Sequence, residues 1–215
     1  MTAKKPFKLI RSRKNATGFR NVVRVRTLAN FADRLTEKNF YKIGSGCFGS
    51  AYVKGKICWK VGLRANGRDC SATDGYIAYA QSIAMRILRS EHAPKIKLIL
   101  IDQMGRFAVL MERLQDFSSA LLDSQVAYAV TRDKIAYGDN DVDGNSIYSL
   151  EIFMKKIMDS FSHSWNIDMH SGNVMVRRDG QFVITNPISF LRDRSPVKDL
   201  LNKFEDIQAI RVIPV

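Results

Sequence analysis

Residues 40–62 read FYKIGSGCFGSAYVKGKICWKVG, and the residue pattern just after the glycines of this stretch decides the architecture. Gly44, Gly46 and Gly49 form a G-x-G-x-x-G set, a pattern that serves two different phosphate-binding designs. A dinucleotide-binding fold needs a helix directly after the glycines and a carboxylate about 20 residues further on. Here the glycines lead into β-type sequence instead, over residues 50–53 and again over 56–61, with Lys54-Gly55 between them as a tight-turn signal. The stretch therefore predicts three strands, with the glycines at a hairpin. In that arrangement backbone N–H groups approach nucleotide phosphates from above, because glycine carries no side chain to intervene. Phe48 would close over the site as a lid. Lys60, in the strand sequence CWKV, would reach the α and β phosphates.

The sequence on either side of this hairpin fits the same design. Residues 74–88 turn helical, with Ile77, Ala80, Ala84 and Leu88 at intervals of three or four and Asp74 as cap. KIKLILID and RFAVLM are two more strands joined at residues 103–105, and residues 28–35 suit a short helix. Residues 28–111 thus add up to five antiparallel strands with one main helix. That helix contains no glutamate, so no ion-pair partner for Lys60 can be assigned from it. Glu112 to Leu114 leave the last strand as a linker whose backbone would face a purine. Beyond it, residues 118–130 predict a helix and TRDKIAYGDNDVDGNS a polar loop. Leu150, Phe153, Met154, Ile157, Met158 and Phe161 then trace one apolar helical face. VMVRR and QFVIT flank Asp179-Gly180, a two-residue hairpin signal.

The densest chemistry lies in DMHSGNVM, where Asp168, His170 and Asn173 form D-x-H-x-x-N. An aspartate placed to accept a hydroxyl proton is followed five residues on by an asparagine able to ligate Mg²⁺. His170 reads as a buttress of this loop rather than as a titrating catalyst. Eighteen residues after Asp168, across the hairpin, Asn186 stands in ITNPISF at the place for a second metal ligand. An amide offers a neutral carbonyl oxygen there, whereas a hard, reluctantly dehydrating Mg²⁺ (or Mn²⁺) prefers full charge.

Composition narrows the partners. The net charge is +13, which favours nucleotides, nucleic acid or an acidic protein surface. Nine of the cations lie in residues 1–26, which hold no acidic residue. Residues 1–27 therefore read as a basic arm, either solvated or bound to nucleic acid. No apolar run reaches the roughly 18 residues of a membrane span, and the start lacks the apolar core of a secretion signal. Cys47, Cys58 and Cys70 are an odd set without paired spacing, which predicts reduced thiols rather than disulfides or a zinc site. DNDVDGNSIYSLE, residues 139–151, nearly matches a calcium loop, but its glutamate falls one residue late and Leu150 holds the required position. A solvated acidic loop leading into a helix is the better reading.

Glycine hairpin, lysine strand, linker, catalytic loop and metal-loop position, over residues 40–190, resemble the protein kinase-like fold. That implies a two-lobed α+β architecture, with a five-stranded antiparallel N-lobe carrying one helix (28–111) and a reduced helical C-lobe (112–215). More closely, DMHSGNVM together with ITNPISF is similar to the early serine/threonine protein kinase of short-tailed, autographivirus-type bacteriophages. That family carries D-M-H-S-G-N and I-T-D-P-x-S-F at matching places and shares the glycine hairpin and the KVG strand. The resemblance implies an enzyme of the host cytoplasm that uses ATP with Mg²⁺. It would phosphorylate host proteins of the transcription or translation machinery, and itself, and help shut off host transcription. On matching positions Asp168 would be the catalytic base, Asn173 and Asn186 the metal positions, and Lys60 the phosphate-holding lysine. Asn186 replaces the family aspartate, which predicts impaired transfer in this chain. Two other readings stay open: a pseudokinase that binds ATP or a host protein without catalysis, and a small-molecule phosphotransferase.

Overall fold

Alternating β-branched and aromatic residues drive most of the first half of the chain into one mixed sheet, and the apolar stripes of the second half fold as helices beneath a hairpin. The structure, a computed structural model, describes residues 22–46, 49–63, 65–66, 69–73, 75–137, 147–162 and 165–191. In chain order it contains β1 (Val22–Val25), α1 (Phe31–Glu37), β2 (Tyr41–Gly46), β3 (Gly49–Lys54), β4 (Ile57–Leu63) and a ribbon of β5 (Ala65–Asn66) and β6 (Asp69–Thr73). Next come α2 (Tyr76–Ala84), β7 (Ile96–Asp102), β8 (Arg106–Glu112) and β9 (Gln115–Asp116). The second half holds α3 (Leu122–Tyr137), α4 (Tyr148–Phe161), β10 (Trp165–Ile167), β11 (Val174–Val176), β12 (Phe182–Ile184) and β13 (Ile188–Leu191). Phe48, Asp74, residues 1–21 of the basic arm, residues 139–146 of the acidic loop and the final 192–215 lie outside the described residues.

The main sheet runs β1-β7-β8-β4-β3-β2. It has six strands rather than the expected five. The sixth, β1, comes from VVRV inside the segment that reads as a basic arm. Its valines give it strand propensity, and it pairs parallel with β7, Val22 opposite Ile99 and Val25 opposite Asp102. Asp102 fixes this edge. Its buried carboxylate accepts the Leu28 N–H (2.8 Å) and pairs with Arg106 Nε (2.6 Å).

Two other expectations shift. The β3–β4 turn is Gly55-Lys56 rather than Lys54-Gly55, because Lys54 pairs with Ile57 and Gly55 takes the positive φ of 56° that leads the turn. TRDKIAY, expected as loop, is the second half of α3. That helix buries only Tyr128 and Thr131, so its sequence carries almost no apolar periodicity to announce it. The stripe of α4 lies where expected, with Leu150, Phe153, Met154, Ile157 and Phe161 buried.

Four cores hold these layers. α4 and Tyr128 pack on Val174, Val176, Phe182 and Ile184 of the β11–β12 hairpin. α2 covers one face of the sheet through Tyr76, Ile77 and Ala80 against Ile99, Phe107 and Val109. Leu28 and Leu35 cover the other face, at Trp59 and Leu100. Val53, Cys58, Met111, Leu114 and Val183 bridge the sheet to the hairpin, which fixes the hairpin loops relative to Lys60. Among the described residues no helix is long and apolar enough to cross a membrane.

Candidate nucleotide and metal site

β10 pairs antiparallel with β13, Ile167 opposite Ile188, while β11 pairs with β12, Val174 opposite Ile184. Gly180, at φ 86°, closes the β11–β12 turn. The two connecting segments, 168–173 and 185–187, are therefore forced side by side. Asp168 N–H donates to Pro187 O (2.7 Å), and Thr185 donates from N–H (2.8 Å) and Oγ1 (2.9 Å) to Asn173 O. Two motifs that stand apart in the sequence thus form one hydrogen-bonded pair of loops.

Within the first loop, Asn173 Nδ2 donates to Asp168 O at 3.0 Å, tying the ends of D-x-H-x-x-N together. Gly172 N–H donates to His170 Nδ1 at 2.9 Å. His170 Nε2 lies 3.2 Å from Asn173 Nδ2 and 3.4 Å from Asp168 Oδ1. Both ring nitrogens of His170 thus face groups of its own loop. Tyr128, which no motif in the sequence marks, donates from its hydroxyl to Met169 O at 2.6 Å and anchors the loop to α3. The Asp168 carboxylate is 34% exposed, open to an incoming hydroxyl.

Asn186 is placed differently. Among the described residues its Oδ1 is the buried side-chain polar atom that has no hydrogen-bond partner. Such an atom costs about 1–3 kcal/mol and calls for an explanation. A divalent cation fits: Asn186 Oδ1 is a hard oxygen without a donor, and Asn173 uses Nδ2 within its loop, which leaves Oδ1 to ligate. Among the described residues no three His, Cys, Asp or Glu side chains group to hold a metal. A cation here would depend on these amide oxygens.

The glycine stretch forms an antiparallel hairpin, as its sequence predicts, with Gly46 opposite Gly49 and Ala51 opposite Lys60 on the next strand. Its glycines differ in role. A Cβ at Gly44 or Gly46 would meet nothing within 4 Å, whereas one at Gly49 would meet Val61 O at 2.6 Å. Gly49→Ala is therefore expected to lower stability by about 1–3 kcal/mol by pushing β3 off β4. Gly44→Ala and Gly46→Ala should leave stability within about 0.5–1 kcal/mol of wild type, the backbone-entropy range. Urea unfolding of the three variants measures both.

Lys60 Nζ sits 3.5 Å from the centroid of the Tyr76 ring, at the start of α2. Two residues before it on β4, Cys58 is buried, and that burial raises its thiol to about 11 against the weaker pull of Lys60. Native protein should resist iodoacetamide at Cys58 near neutral pH and react there on unfolding, read by peptide mass mapping.

The linker is bound into the structure more tightly than expected. Glu112 N–H donates to Lys95 O (3.2 Å) and Arg113 N–H to Lys56 O (3.1 Å), so neither amide is available to a purine. Leu114 is buried beside Val53 and Met111. The Glu112 carboxylate accepts from Lys95 N–H (2.9 Å) and from Arg177 Nη2 (2.7 Å). Burial alone would raise its pKa, but the hydrogen bonds of Arg177 and of the Lys95 amide outweigh that and hold it below its usual value.

The family model described as bacteriophage T7 protein kinase 0.7 matches residues 11–213. No curated protein matches the chain.

Proposed function

The chain belongs to the bacteriophage T7 protein kinase family, and on that premise we propose that it is a serine/threonine kinase that transfers the γ-phosphate of ATP to host proteins. The observation that carries this reading is the joining of the Asp168–Asn173 loop to the Thr185–Asn186 segment through the bonds to Asn173 O and Pro187 O. It brings a candidate base and both candidate metal positions into one structure. We read the sheet half and the helical half as the two lobes of a kinase-like fold, divided at Met111–Glu112, with β1 added to the first.

Phosphoryl transfer asks little covalent chemistry of a protein and depends on positioning and charge stabilisation. Lys60 and the amides of Gly44, Gly46 and Gly49, with Phe48 above them, would hold the triphosphate. Asp168 would accept the proton of the substrate hydroxyl as its oxygen bonds to the γ-phosphorus and the bond to the β-phosphate oxygen breaks, releasing ADP. Asn173 and Asn186 would hold Mg²⁺ or Mn²⁺, which when bound offsets negative charge on the phosphate oxygens. With a neutral amide at position 186, transfer would be slow in this chain. The basic arm adds a candidate contact to nucleic acid.

Incubating the chain and its Asn186→Asp variant with host lysate, Mg²⁺ and γ-labelled ATP tests the reading. Label in protein serine and threonine is expected, stronger for the variant. Label only in small metabolites would favour a small-molecule phosphotransferase, and ATP binding without label a pseudokinase acting on host transcription by binding alone.

A further inference from the structure

The glycine turn, Gly46 opposite Gly49, lies at one end of the main sheet, and the other end gathers cations. There β2 starts with Tyr41 opposite Val53, and Lys54 pairs with Ile57 across the turn from β3 to β4. Ile57 in turn faces Glu112 at the end of β8, and Ile96 at the start of β7 faces Met111. Lys38, Lys54, Lys56, Arg113 and Lys95 therefore fall in one row along this end, all exposed, with Lys42 beside them on β2. Backbone bonds join the row: Arg113 N–H donates to Lys56 O at 3.1 Å and Glu112 N–H to Lys95 O at 3.2 Å. It crosses β2, β3, β4, β8 and β7, which makes it about 19 Å long at about 4.8 Å per strand spacing.

Neutral groups hold two of these cations, which fixes them without cancelling their charge. Lys54 Nζ donates to Lys38 O at 2.8 Å and lies 5.9 Å from the centroid of the Phe40 ring. Arg113 donates from Nη1 to Gly55 O at 3.4 Å and lies 5.8 Å from the centroid of the Tyr41 ring. That ring is 52% exposed. The carboxylate within the row, Glu112, is taken by Arg177 at 2.7 Å. The exposed acids Glu37 and Glu91 belong to its flanks, one residue before Lys38 and four before Lys95.

We propose that this end of the sheet binds single-stranded nucleic acid, with phosphates along the cation row and a base stacked on Tyr41. Fixed cations beside an exposed ring form a surface on which the charges follow the backbone and the ring accepts any base. An acidic protein segment would use the cations but leave the ring without a base to stack. The length of the row suits about four nucleotides, the low end of single-strand site sizes.

Fluorescence anisotropy of a labelled oligothymidylate with the full chain, over a salt series, tests this. Lys54→Gln combined with Lys56→Gln should weaken binding about 10-fold. It should also lower the slope of log K against log salt by about 1.4, for two phosphate contacts at about 0.7 each. Tyr41→Ala should weaken binding about 5- to 150-fold, the effect of one stacked base, with the slope unchanged. Tyr41→Phe should match wild type. If the double lysine variant does not fold, Lys56→Gln combined with Lys95→Gln removes as much charge and should lower the slope equally. A wild-type chain that binds no oligothymidylate, or lysine variants with unchanged affinity and slope, would overturn the surface. Polyglutamate competing as well as oligothymidylate, with no loss in Tyr41→Ala, would overturn nucleic acid as the partner in favour of an acidic protein. Displacement of the oligothymidylate by ATP with Mg²⁺ would overturn the surface in favour of the nucleotide site.

Discussion

Asn186→Asp should raise the rate of Mg²⁺-dependent phosphoryl transfer by about 10²- to 10⁴-fold, equivalent to about 3–5 kcal/mol of transition-state stabilisation. The expectation starts from a single atom, the buried and unpartnered Oδ1 of Asn186. In a carboxylate this position would carry full charge, which a hard cation prefers. The same change has a cost that can be read without any turnover. A carboxylate oxygen buried without a donor destabilises the protein until a cation neutralises it. In metal-free buffer, Asn186→Asp should therefore unfold at a lower temperature than wild type, and addition of Mg²⁺ or Mn²⁺ should recover the loss. The wild-type unfolding temperature should respond much less to either ion. Mn²⁺ binding monitored by electron paramagnetic resonance gives the same comparison directly. A variant as stable as wild type without metal, and insensitive to it, would show that position 186 does not face a cation.

Arg177→Ala should destabilise the fold by about 3 kcal/mol, the scale of breaking a largely buried ion pair from one side. Arg177 is 10% exposed and Glu112 17%. The guanidinium spends its planar fork on several acceptors at once. Nε faces both Glu112 oxygens at 3.2 and 3.1 Å, Nη2 reaches Glu112 Oε1 at 2.7 Å and Ala93 O at 2.9 Å, and Nη1 bonds Glu91 O and Gln181 Oε1. Removing it leaves the Glu112 carboxylate with the Lys95 N–H alone of these donors and takes the guanidinium from three carbonyl oxygens, those of Glu91, Ala93 and the Gln181 side chain. Arg177→Lys should recover only part of the loss, because one ammonium cannot reproduce the fork. The pH dependence has a definite sign. Glu112 is held below its unfolded pKa, so its contribution is present above that value and fades as pH falls through the lower folded value. The gap between wild type and Arg177→Ala in urea unfolding should thus narrow between about pH 5 and pH 3. Glu151, lowered by its hydrogen bond from Lys155 and, against burial, by Lys134, supplies acid sensitivity that both proteins share. A gap independent of pH would mean the arginine stabilises through packing alone.

The parts of the fold legible in the sequence are those with strong local signals. Strands β2, β3 and β4 carry alternation, glycines and a turn, and α4 carries its apolar stripe. Asp168, Asn173 and Asn186 can be placed together because the Asp179-Gly180 signal announces a hairpin that folds their flanking strands back. The loop itself is residues 178–180, with Gly180 N–H donating to Arg177 O and Arg177 N–H to Gln181 O. The less legible parts depend on partners distant in the chain. Arg177 reads as one more residue of VMVRR, and nothing local shows that residues 91, 93, 112 and 181 converge on it. Asp102 ends an ordinary strand, yet it holds the amide of Leu28, 74 positions away. Half of α3 reads as loop because a helix that buries two side chains leaves little period in its sequence.

Single-turnover transfer from γ-labelled ATP to protein, in Asn186→Asp and in Asn186→Asp combined with Asp168→Asn, tests the assignment of the site most directly. ATP affinity is measured on both. The predicted result is clear transfer by the first, and transfer slower by about 10²- to 10⁴-fold in the second at similar ATP affinity. Equal transfer by both variants, or none by the first while it still binds ATP, would contradict it.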